Sequence, residues 1–329
     1  MKRTLTISAL IGSLVLSSCR RDDLYYATND RVAIRIEADW SPAHLTPNGA
    51  SAFVFDARGS SVGEIVQSND HRKIDLSLPE GNYTVVVVNN SLAEYRNVVA
   101  SDAGQLKTFA LMARTVSPNF ASVSGTRSKI FVGEPDTVAG SVVRNIAIDH
   151  KMIEYYRKRP QGVAPAPAAT FATTPKRLIS VADIEIHVKG LKYAGGAPRT
   201  HLRNFTGGRL IDSDRPSEQH VNHEFVLNNR RFDAGSIYDG TISKQLATFG
   251  LHGDPSTRYL LNMEFVLING EKYPIELDLT DRIEVIDASP HTILRIRASI
   301  ELPEVIGNGS GAFDPDLEEW EDINVDIPM

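Results

Sequence analysis

The sequence predicts an all-β protein that holds two antiparallel β-sandwiches in tandem. Apolar and polar residues alternate in many short stretches, which is the two-residue period of a half-buried strand. Turn signals rich in Gly, Pro, Asn and Asp separate these stretches at intervals of about 8 to 12 residues, as in known sandwiches. Residues 19–329 are long enough for two domains of about 100 to 200 residues each.

The chain begins with a segment that is typical of a bacterial export signal. Lys2 and Arg3 precede an apolar run that is too short to cross a membrane as a helix. The quartet Leu16-Ser17-Ser18-Cys19 resembles a lipobox, at which signal peptidase cuts before a cysteine that then carries acyl chains such as palmitate. We therefore expect a lipoprotein signal peptide over residues 1–18 and lipidation of Cys19. The alternatives are a general signal peptide with an incidental Cys19, or an ordinary buried thiol.

Two acidic residues follow the cysteine closely. Asp22-Asp23 resembles the acidic surface-export signal of Bacteroides-type lipoproteins, and this resemblance implies an outer-membrane protein that faces the cell exterior. Two or more acyl chains, at about 0.8 kcal/mol per buried CH₂, make such an attachment effectively permanent. Residues 19–31 are then the lipid tether, although two acidic residues are equally consistent with a solvated linker.

Composition excludes several other classes of function. The net charge is −6, and removal of residues 1–18 makes it −8 because that segment carries Lys2 and Arg3 but no acidic residue. An acidic protein of this kind is not expected to bind nucleic acid or anionic lipid. Cys19 is the only cysteine, so its lipidation leaves no thiol for a disulfide, a zinc site or a nucleophile.

Residues 32–150 are predicted to form the N-terminal sandwich. Val32–Asp39 alternates in a strand pattern, and the uniformly apolar run Val85–Val88 predicts a buried strand. The intervening Pro79-Glu80-Gly81-Asn82-Tyr83 predicts a hairpin turn whose Tyr returns to the core, a turn similar to that of many transthyretin-like and immunoglobulin-like sandwiches. Further strands are predicted at Ala50–Asp56, Val62–Val66, Lys73–Leu78, 94–100, 105–113 and, more loosely, 136–150.

Residues 151–177 are predicted to be a linker or an exposed loop. Lys151–Arg159 is compatible with a helical turn or an edge strand, and the Pro/Ala-rich residues 160–175 have the least structured composition in the chain.

Residues 178–302 are predicted to form the C-terminal sandwich, and residues 303–329 an acidic tail. Asn269-Gly270 predicts a two-residue type I′ hairpin between Arg258–Ile268 and Lys272–Leu279. Other strands are predicted around 184–188, 199–212, 221–228, 236–250 and 293–302. In the tail, Ile323, Val325 and Ile327 alternate like a strand that could pair with a sheet edge, and a disordered acidic end is the alternative.

Several of the segments described above resemble those of a known protein family. The resemblance is to Bacteroides-group lipoproteins classed as a domain of unknown function, which are similar to fimbrillin-associated anchor lipoproteins. It implies two transthyretin-like sandwiches and a role in anchoring or capping a surface fimbria. The segments that carry it are the lipobox Cys19 with its acidic follow-up, Val32–Ser41, Leu45–Gly49, Phe53–Asp56, Leu78–Val85, Thr248–Gly250, Asn262–Leu267 and Asp278–Asp281.

The sequence gives no signature of catalysis, of a metal or of a cofactor. It lacks a nucleophile elbow, a phosphate loop and the metal-ligand spacings of known sites, so catalytic, metal and cofactor-binding residues are all predicted to be absent. His220 and His223 would lie on opposite faces of a strand, and the histidines are expected in loops or on exposed strands: His201, His220, His223, His252 and His291. A pair of glycosidase carboxylates leaves no sequence signature, so a hydrolase stays an alternative.

The predicted function is structural. We expect a lipid-anchored surface protein that serves as an anchor or accessory subunit of a fimbria-like assembly joined by β-strand addition. Its expected partners are outer-membrane lipid, through acylated Cys19, and fimbrillin-like subunits. The alternative is a glycan-binding surface lipoprotein beside an outer-membrane importer; for that role Trp320 could stack on a sugar, whereas Trp40 is expected in the core.

Overall fold

The computed structural model describes residues 30–119, 130–158 and 166–305. The strands of the first half are β1 (Arg31–Ala38), β2 (Ala50–Asp56), β3 (Ser61–Ser68), β4 (Lys73–Pro79), β5 (Gly81–Asn89), β6 (Val98–Ser101), β7 (Ala110–Ala113), β8 (Thr115–Val116), β9 (Phe131–Val132) and β10 (Ala139–Ile148). Helix α1 (His150–Arg157) follows them. After it come β11 (Thr170–Thr173), β12 (Lys176–Arg177), β13 (Ser180–Lys189), β14 (Arg199–Thr206), β15 (Gly208–Leu210), β16 (Arg215–Pro216), β17 (His220–Val226), β18 (Asn229–Phe232), β19 (Gly240–Thr248), β20 (Leu260–Val266), β21 (Lys272–Asp278), β22 (Ile283–Ala288) and β23 (His291–Glu301).

These strands form five sheets, which confirms the predicted all-β fold. Sheet A has the order β11-β1-β4, sheet B β12-β10-β5-β2-β3, and sheet C β16-β15-β7-β6. Sheet D has the order β18-β19-β13-β23-β22, and sheet E β21-β20-β14-β17-β9-β8. Pairing is mostly antiparallel, but β1 with β11, β13 with β23, and β17 with β9 run parallel.

Sheets A and B enclose the core of the N-terminal sandwich. Every second residue of β1 points into this core, and Val32, Ile34 and Ile36 are fully buried, as the alternation predicted. The antiparallel register places Leu76 of β4 opposite Ile34, so both strands supply one continuous apolar row. Burying each of these side chains stabilises the fold by about 1.5 to 3 kcal/mol.

The run Val85–Val88 is buried on both faces of sheet B. Val85 and Val87 face the core shared with sheet A, whereas Val86 and Val88 face a second cluster beneath sheet C. A strand covered on both faces has a continuous apolar sequence instead of an alternating one. The predicted buried strand is therefore confirmed.

The cluster beneath sheet C joins the two halves of the chain, and we call it the junction core. Phe109 lies at its centre, with ring centroids 4.8 Å from Phe53 and 5.9 Å from Phe55. Val221 and Phe249 of the second half belong to the same cluster. The two sandwiches are thus connected by packed side chains as well as by the chain.

Sheets D and E form the C-terminal sandwich, and its core is filled from both. Ile184 and Ile186 of β13 pack with Leu261, Met263 and Phe265 of β20, and all five are almost completely buried. The two halves also exchange strands. β8 and β9 join sheet E beside β17, and β15 and β16 join sheet C beside β7, so the strands cross the predicted boundaries at 150 and 178.

Each sandwich has one end near the junction and one end far from it. Arg177 donates from Nε to the carbonyl of Ala43, just after β1, and lines a cavity with the turn between β22 and β23. β1 starts at the far end of its sandwich, which we call the tether pole, near α1. β13 and β23 end at the far end of the other sandwich, which we call the free pole. β1 and β13 are roughly 26 and 33 Å long, and each runs between the junction and the far pole of its own sandwich.

Two turn predictions need correction. β4 and β5 do not pair with each other, because β4 belongs to sheet A and β5 to sheet B, so the turn at Pro79–Tyr83 is a corner between sheets and not a hairpin. The Tyr83 ring does enter the core, and its hydroxyl donates to the carbonyl of Pro79 at 3.2 Å. β20 and β21 form the predicted hairpin, but only Gly270 has a positive φ (83°), which is the three-residue loop with a bulge and not a type I′ turn.

Residues 151–177 also differ from the predicted linker. α1 begins at the Asp149 cap, whose carboxylate accepts from the Met152 amide, and Ile153 packs into the N-terminal core. β11 then adds to the edge of sheet A, and β12 to the edge of sheet B. The segment therefore completes the first sandwich at both sheets. In the described part of the chain, no helix has the length and apolar character needed to span a membrane.

Candidate functional site: an open seam in the C-terminal sandwich

β21 and β22 are edge strands on the same side of the C-terminal sandwich. β21 ends sheet E and β22 ends sheet D, and only residues 279–282 connect them. Both strands run from the free pole toward the junction, so β22 continues where β21 ends. The incompletely covered apolar side chains along these two edges are what we call the open seam. Its members are Tyr273, Ile275 and Leu277 of β21 and Ile283 and Val285 of β22.

The β21 side of the seam consists of core-facing residues that are only half buried. Residues directly opposite each other in an antiparallel pair share a face, so the partners in β20 show which face this is. Those partners are all fully buried in the core of the sandwich. The pairs are Tyr273 opposite Phe265, Ile275 opposite Met263, and Leu277 opposite Leu261.

The β22 side is more open still. Val285 lies opposite Leu294, which is 2% exposed and belongs to the core, yet Val285 itself is 54% exposed. Ile283 lies opposite the fully buried Ile296 and is half buried. The seam is therefore a place where the hydrophobic interior reaches solvent because no strand covers it.

Not every edge strand is open in this way. β4 is the edge strand of sheet A, and its core-facing Ile74, Leu76 and Leu78 are all buried. β3, the outer strand of sheet B, resembles the seam instead, since Ile65 is 48% exposed although it lies opposite the buried Phe53. Edge strands with an apolar, unpaired side are the surfaces to which another strand can add.

The two edges of the seam differ in their backbone. Pro274 interrupts β21 and removes one amide donor, which is a common way to blunt an edge strand. β22, with the sequence IEVIDA, has neither Pro nor Gly and offers an unbroken row of amides and carbonyls. β22 is therefore the edge along which an added strand would find a continuous backbone partner.

The turn between the two edges is held by Asp278. Its carboxylate accepts hydrogen bonds from the hydroxyl and the amide of Thr280, at 2.6 and 3.0 Å, and pairs with the Arg258 guanidinium. The hydroxyl of Thr280, followed by Arg258, holds the pKa of Asp278 well below its usual range. The carboxylate therefore stays charged at neutral pH and ties the end of β21 to Thr280 and Arg258.

The residues singled out from the sequence lie elsewhere. Cys19, the tail residues 306–329 and Trp320 fall outside the described residues. Trp40 is 3% exposed and its Nε1 donates to the carbonyl of His71, so its predicted place in the core is confirmed.

The histidines were predicted in loops or on exposed strands, and for two of them this is wrong. His201 is buried with its Nε2 3.1 Å from Glu224, and His223 is buried against the Thr248 hydroxyl. Burial lowers the pKa of the His223 imidazole to about 4. His220 stacks on the ring of His252, with centroids 3.8 Å apart. The described ranges contain no group of three or more side chains suited to hold a metal ion.

The sequence prediction missed β22, the more open edge. Ile283 and Val285 alternate with acidic residues immediately after the predicted return strand, so the strand period was present in the sequence. Its position at the end of a sheet is a property of the whole fold and has no local sequence signal.

Comparison with known proteins supports a family and a fold. The family model described as a domain of unknown function (DUF5119) matches residues 18–225, more than half of the chain. This confirms the resemblance to a family of that class.

The chain is also similar to solved structures at low identity. A candidate adhesin from Bacteroides ovatus ATCC 8483 is 16% identical, with a TM-score of 0.52 over 83% of this chain and 90% of that chain. The fimbrial anchor protein Mfa2 from Porphyromonas gingivalis is 11% identical, with a TM-score of 0.46 over 82% and 90%. A candidate polysaccharide-binding protein (DUF1812) from Bacteroides thetaiotaomicron is 10% identical, with a TM-score of 0.46 over 83% and 92%.

A short stretch is also similar to enzymes. Over 94 residues the chain is 34% identical to a protein named glycine dehydrogenase (decarboxylating) subunit 2 from Bacillus licheniformis, and the same holds for its counterpart from Bacillus velezensis. The match covers 28% of this chain, which spans only 18% of the length of these curated relatives.

Proposed function

This chain belongs to the DUF5119 family, and on that premise we propose that it is a lipid-anchored anchor or accessory subunit of a fimbria-like surface assembly. The open seam is the observation that carries the proposal. A strand donated by a neighbouring subunit would pair with β22 and cover Val285. Main-chain hydrogen bonds would then supply affinity, and the apolar side chains would supply specificity.

The arrangement of the two poles fits a protein held at one end. In the proposal, Cys19 carries the acyl chains. The chain enters β1 at the tether pole, where Asp30 pairs with Arg157 of α1. The seam lies on the other sandwich. A subunit docked at the seam would therefore be kept away from the membrane surface.

We further propose that the protein neither catalyses a reaction nor binds a glycan. A sugar platform needs an exposed aromatic face, and Trp40 is buried in the N-terminal core. Trp40 therefore cannot form such a platform, and the exposed aromatic rings of the described residues include Tyr155, Phe232 and Tyr238.

Isolation of the membrane-bound protein in mild detergent, followed by mass spectrometry, tests the proposal. We expect an acylated N-terminal Cys19 and co-purifying β-sandwich subunits. Val285→Asp should abolish that co-purification, because a carboxylate cannot be covered by an apolar strand without a large desolvation cost. Val62→Asp on β3 is the matched control, since Val62 is an edge-strand valine that is 44% exposed but lies on the other sandwich.

Three results would contradict the proposal. Isolation of the protein alone would argue against an assembly, and retention of the subunits by Val285→Asp would argue against the seam. Retention on insoluble polysaccharide that is lost with an aromatic substitution would favour the glycan alternative instead.

A further inference from the structure

A two-residue link joins the sandwiches, and a cavity lies beside it. β12 ends at Arg177 and β13 begins at Ser180, so only Leu178 and Ile179 lie between these strands, and both are buried in the junction core. In sheet D, Ser180 lies opposite Thr292 of the parallel strand β23. The start of β23 is therefore held close to the end of β12, where the first sandwich passes into the second.

The cavity has walls from both sandwiches and a volume of about 340 Å³. The first sandwich contributes Pro42, Lys176 and Arg177, and the second contributes residues 287–292, which end β22 and begin β23. A water molecule takes about 30 Å³ in the liquid, so the cavity has room for a small polyatomic ion and several waters.

Basic side chains outnumber acidic ones in the lining of this cavity. Lys176, Arg177 and His291 line it together with one carboxylate, that of Asp287, which accepts from the Thr292 hydroxyl at 3.3 Å. In the described part of the chain, no carboxylate lies within ion-pair distance of Lys176 or Arg177. Two permanent cations against one carboxylate leave the lining with a net positive charge at neutral pH.

The Arg177 side chain is held in place and still has donors to spare. Its Nε donates to the carbonyl of Ala43 at 2.8 Å, and its Nη2 donates to the carbonyl of His44 at 3.3 Å. A guanidinium has five N–H donors, so these two acceptors use only part of its capacity. Burial lowers the pKa of Arg177, which is the response of a cation that lacks a nearby counter-charge.

His291 brings an unsatisfied polar atom to the same place. Its Nδ1 is buried and has no hydrogen-bond partner among the described residues. Burial, followed by the positive charges of Arg177 and His44, lowers the pKa of the His291 imidazole. An anion in the cavity would offset these charges and would favour a protonated imidazole that donates to it.

We propose that this cavity binds an oxyanion of the size of phosphate, held by the Arg177 guanidinium, the Lys176 ammonium and the His291 imidazole. The planar guanidinium matches two oxygens of such an ion, and the ammonium adds a compact charge. Two of these groups belong to the first sandwich and one to the second, so the bound ion ties the sandwiches together beside their link. The inference does not rest on the proposed function, because it involves neither Cys19 nor the apolar side chains of the open seam.

Calorimetric titration of the full chain in detergent with inorganic phosphate tests this inference, with chloride added to keep the ionic strength constant. We expect saturable binding at one site per chain. Lys176→Gln/His291→Gln should raise the Kd about tenfold or more, because it removes two charge-assisted hydrogen bonds. Lys107→Gln/His71→Gln is the matched control, since neither of its residues lines the cavity, and it should bind phosphate as the wild type does.

Thermal unfolding gives a second readout that does not depend on the heat of binding. A ligand that binds only the folded state raises the ratio of folded to unfolded protein, about 20-fold at a phosphate concentration of 20 times the Kd. The Lys176→Gln/His291→Gln variant should show only a small part of this rise at the same concentration. It keeps the bonds of Arg177 to Ala43 and His44, so it is expected to fold, whereas Arg177→Gln would lose them.

Two outcomes overturn the inference. Heats that do not saturate, together with no phosphate-dependent rise in the melting temperature of the wild type, would show that the cavity is not an anion site. Equal Kd values for the wild type and Lys176→Gln/His291→Gln would place the anion elsewhere on the protein. Neither outcome bears on the proposed function, which is tested by the subunits that co-purify with the wild type and with Val285→Asp.

Discussion

Replacing His223 should remove a large part of the pH dependence of folding stability. Burial lowers the pKa of His223 from its ordinary value of 6.5 to about 4. Below pH 6.5 the unfolded chain therefore binds a proton that the folded protein excludes, and stability falls as the pH drops from about 6.5 to 4. At 1.36 kcal/mol per pKa unit, the loss from this group between pH 8 and pH 5 is about 2 kcal/mol. His223→Gln cannot take up the proton, and its amide can still contact the Thr248 hydroxyl.

Urea unfolding of the wild type and of His223→Gln at pH 8 and pH 5 measures this effect. Carboxylates titrate in both proteins, so the informative quantity is the difference between their pH-induced losses of unfolding free energy. We expect that difference to be about 2 kcal/mol. His71→Gln, at a partly exposed histidine of the other sandwich, serves as the control for the loss of an imidazole. Equal losses in the wild type and His223→Gln would refute the assignment of the buried, neutral imidazole.

Three further substitutions test packing in the N-terminal sandwich and at the junction between the sandwiches. Phe109→Ala removes a fully buried ring that packs at a tilt against Phe53, so we expect a loss of about 3 to 5 kcal/mol and urea curves that split into two transitions; a single transition would contradict the role of the junction core. Asn89→Ala leaves a buried backbone amide and carbonyl beside β10 without their partner, and calorimetry should show a loss of about 1 to 3 kcal/mol; an unchanged melting temperature would refute it. Gly208→Ala places a Cβ 2.3 Å from the Met112 sulfur, so it should cost about 1 to 3 kcal/mol by chemical denaturation, unless sheet C shifts to relieve the clash.

Local periodicity explains which parts of the fold could be predicted from the sequence. β1 and β13 alternate because one face of each is covered, and the Val85–Val88 run is continuous because both faces are covered. Both patterns depend only on which residues are buried, and this is visible in the order of apolar and polar residues. That order does not show which strand pairs with which. The corner at Pro79–Tyr83 has the residues of a hairpin, and only the other strands place β4 and β5 in different sheets.

In the candidate site too, the strand pattern is visible in the sequence and the position in the sheet is not. The alternation of Ile283 and Val285 is visible in the sequence, and so is the apolar character of β21. Neither pattern shows that these strands end their sheets, because Ile283 and Ile296 look equally suited to the core. The exchange of β8 and β9 into sheet E likewise depends on contacts between residues more than 80 positions apart, which no short-range pattern encodes.

The junction core also determines how the protein would respond to mechanical load. A pull applied along β1 or β13 loads interstrand hydrogen bonds that lie across the strands. Such a load shears the bonds of a strand pair together and does not open them one after another. Phe109 and its neighbours fill the joint between the sandwiches, so tension would pass from one sandwich to the other without first opening a hinge.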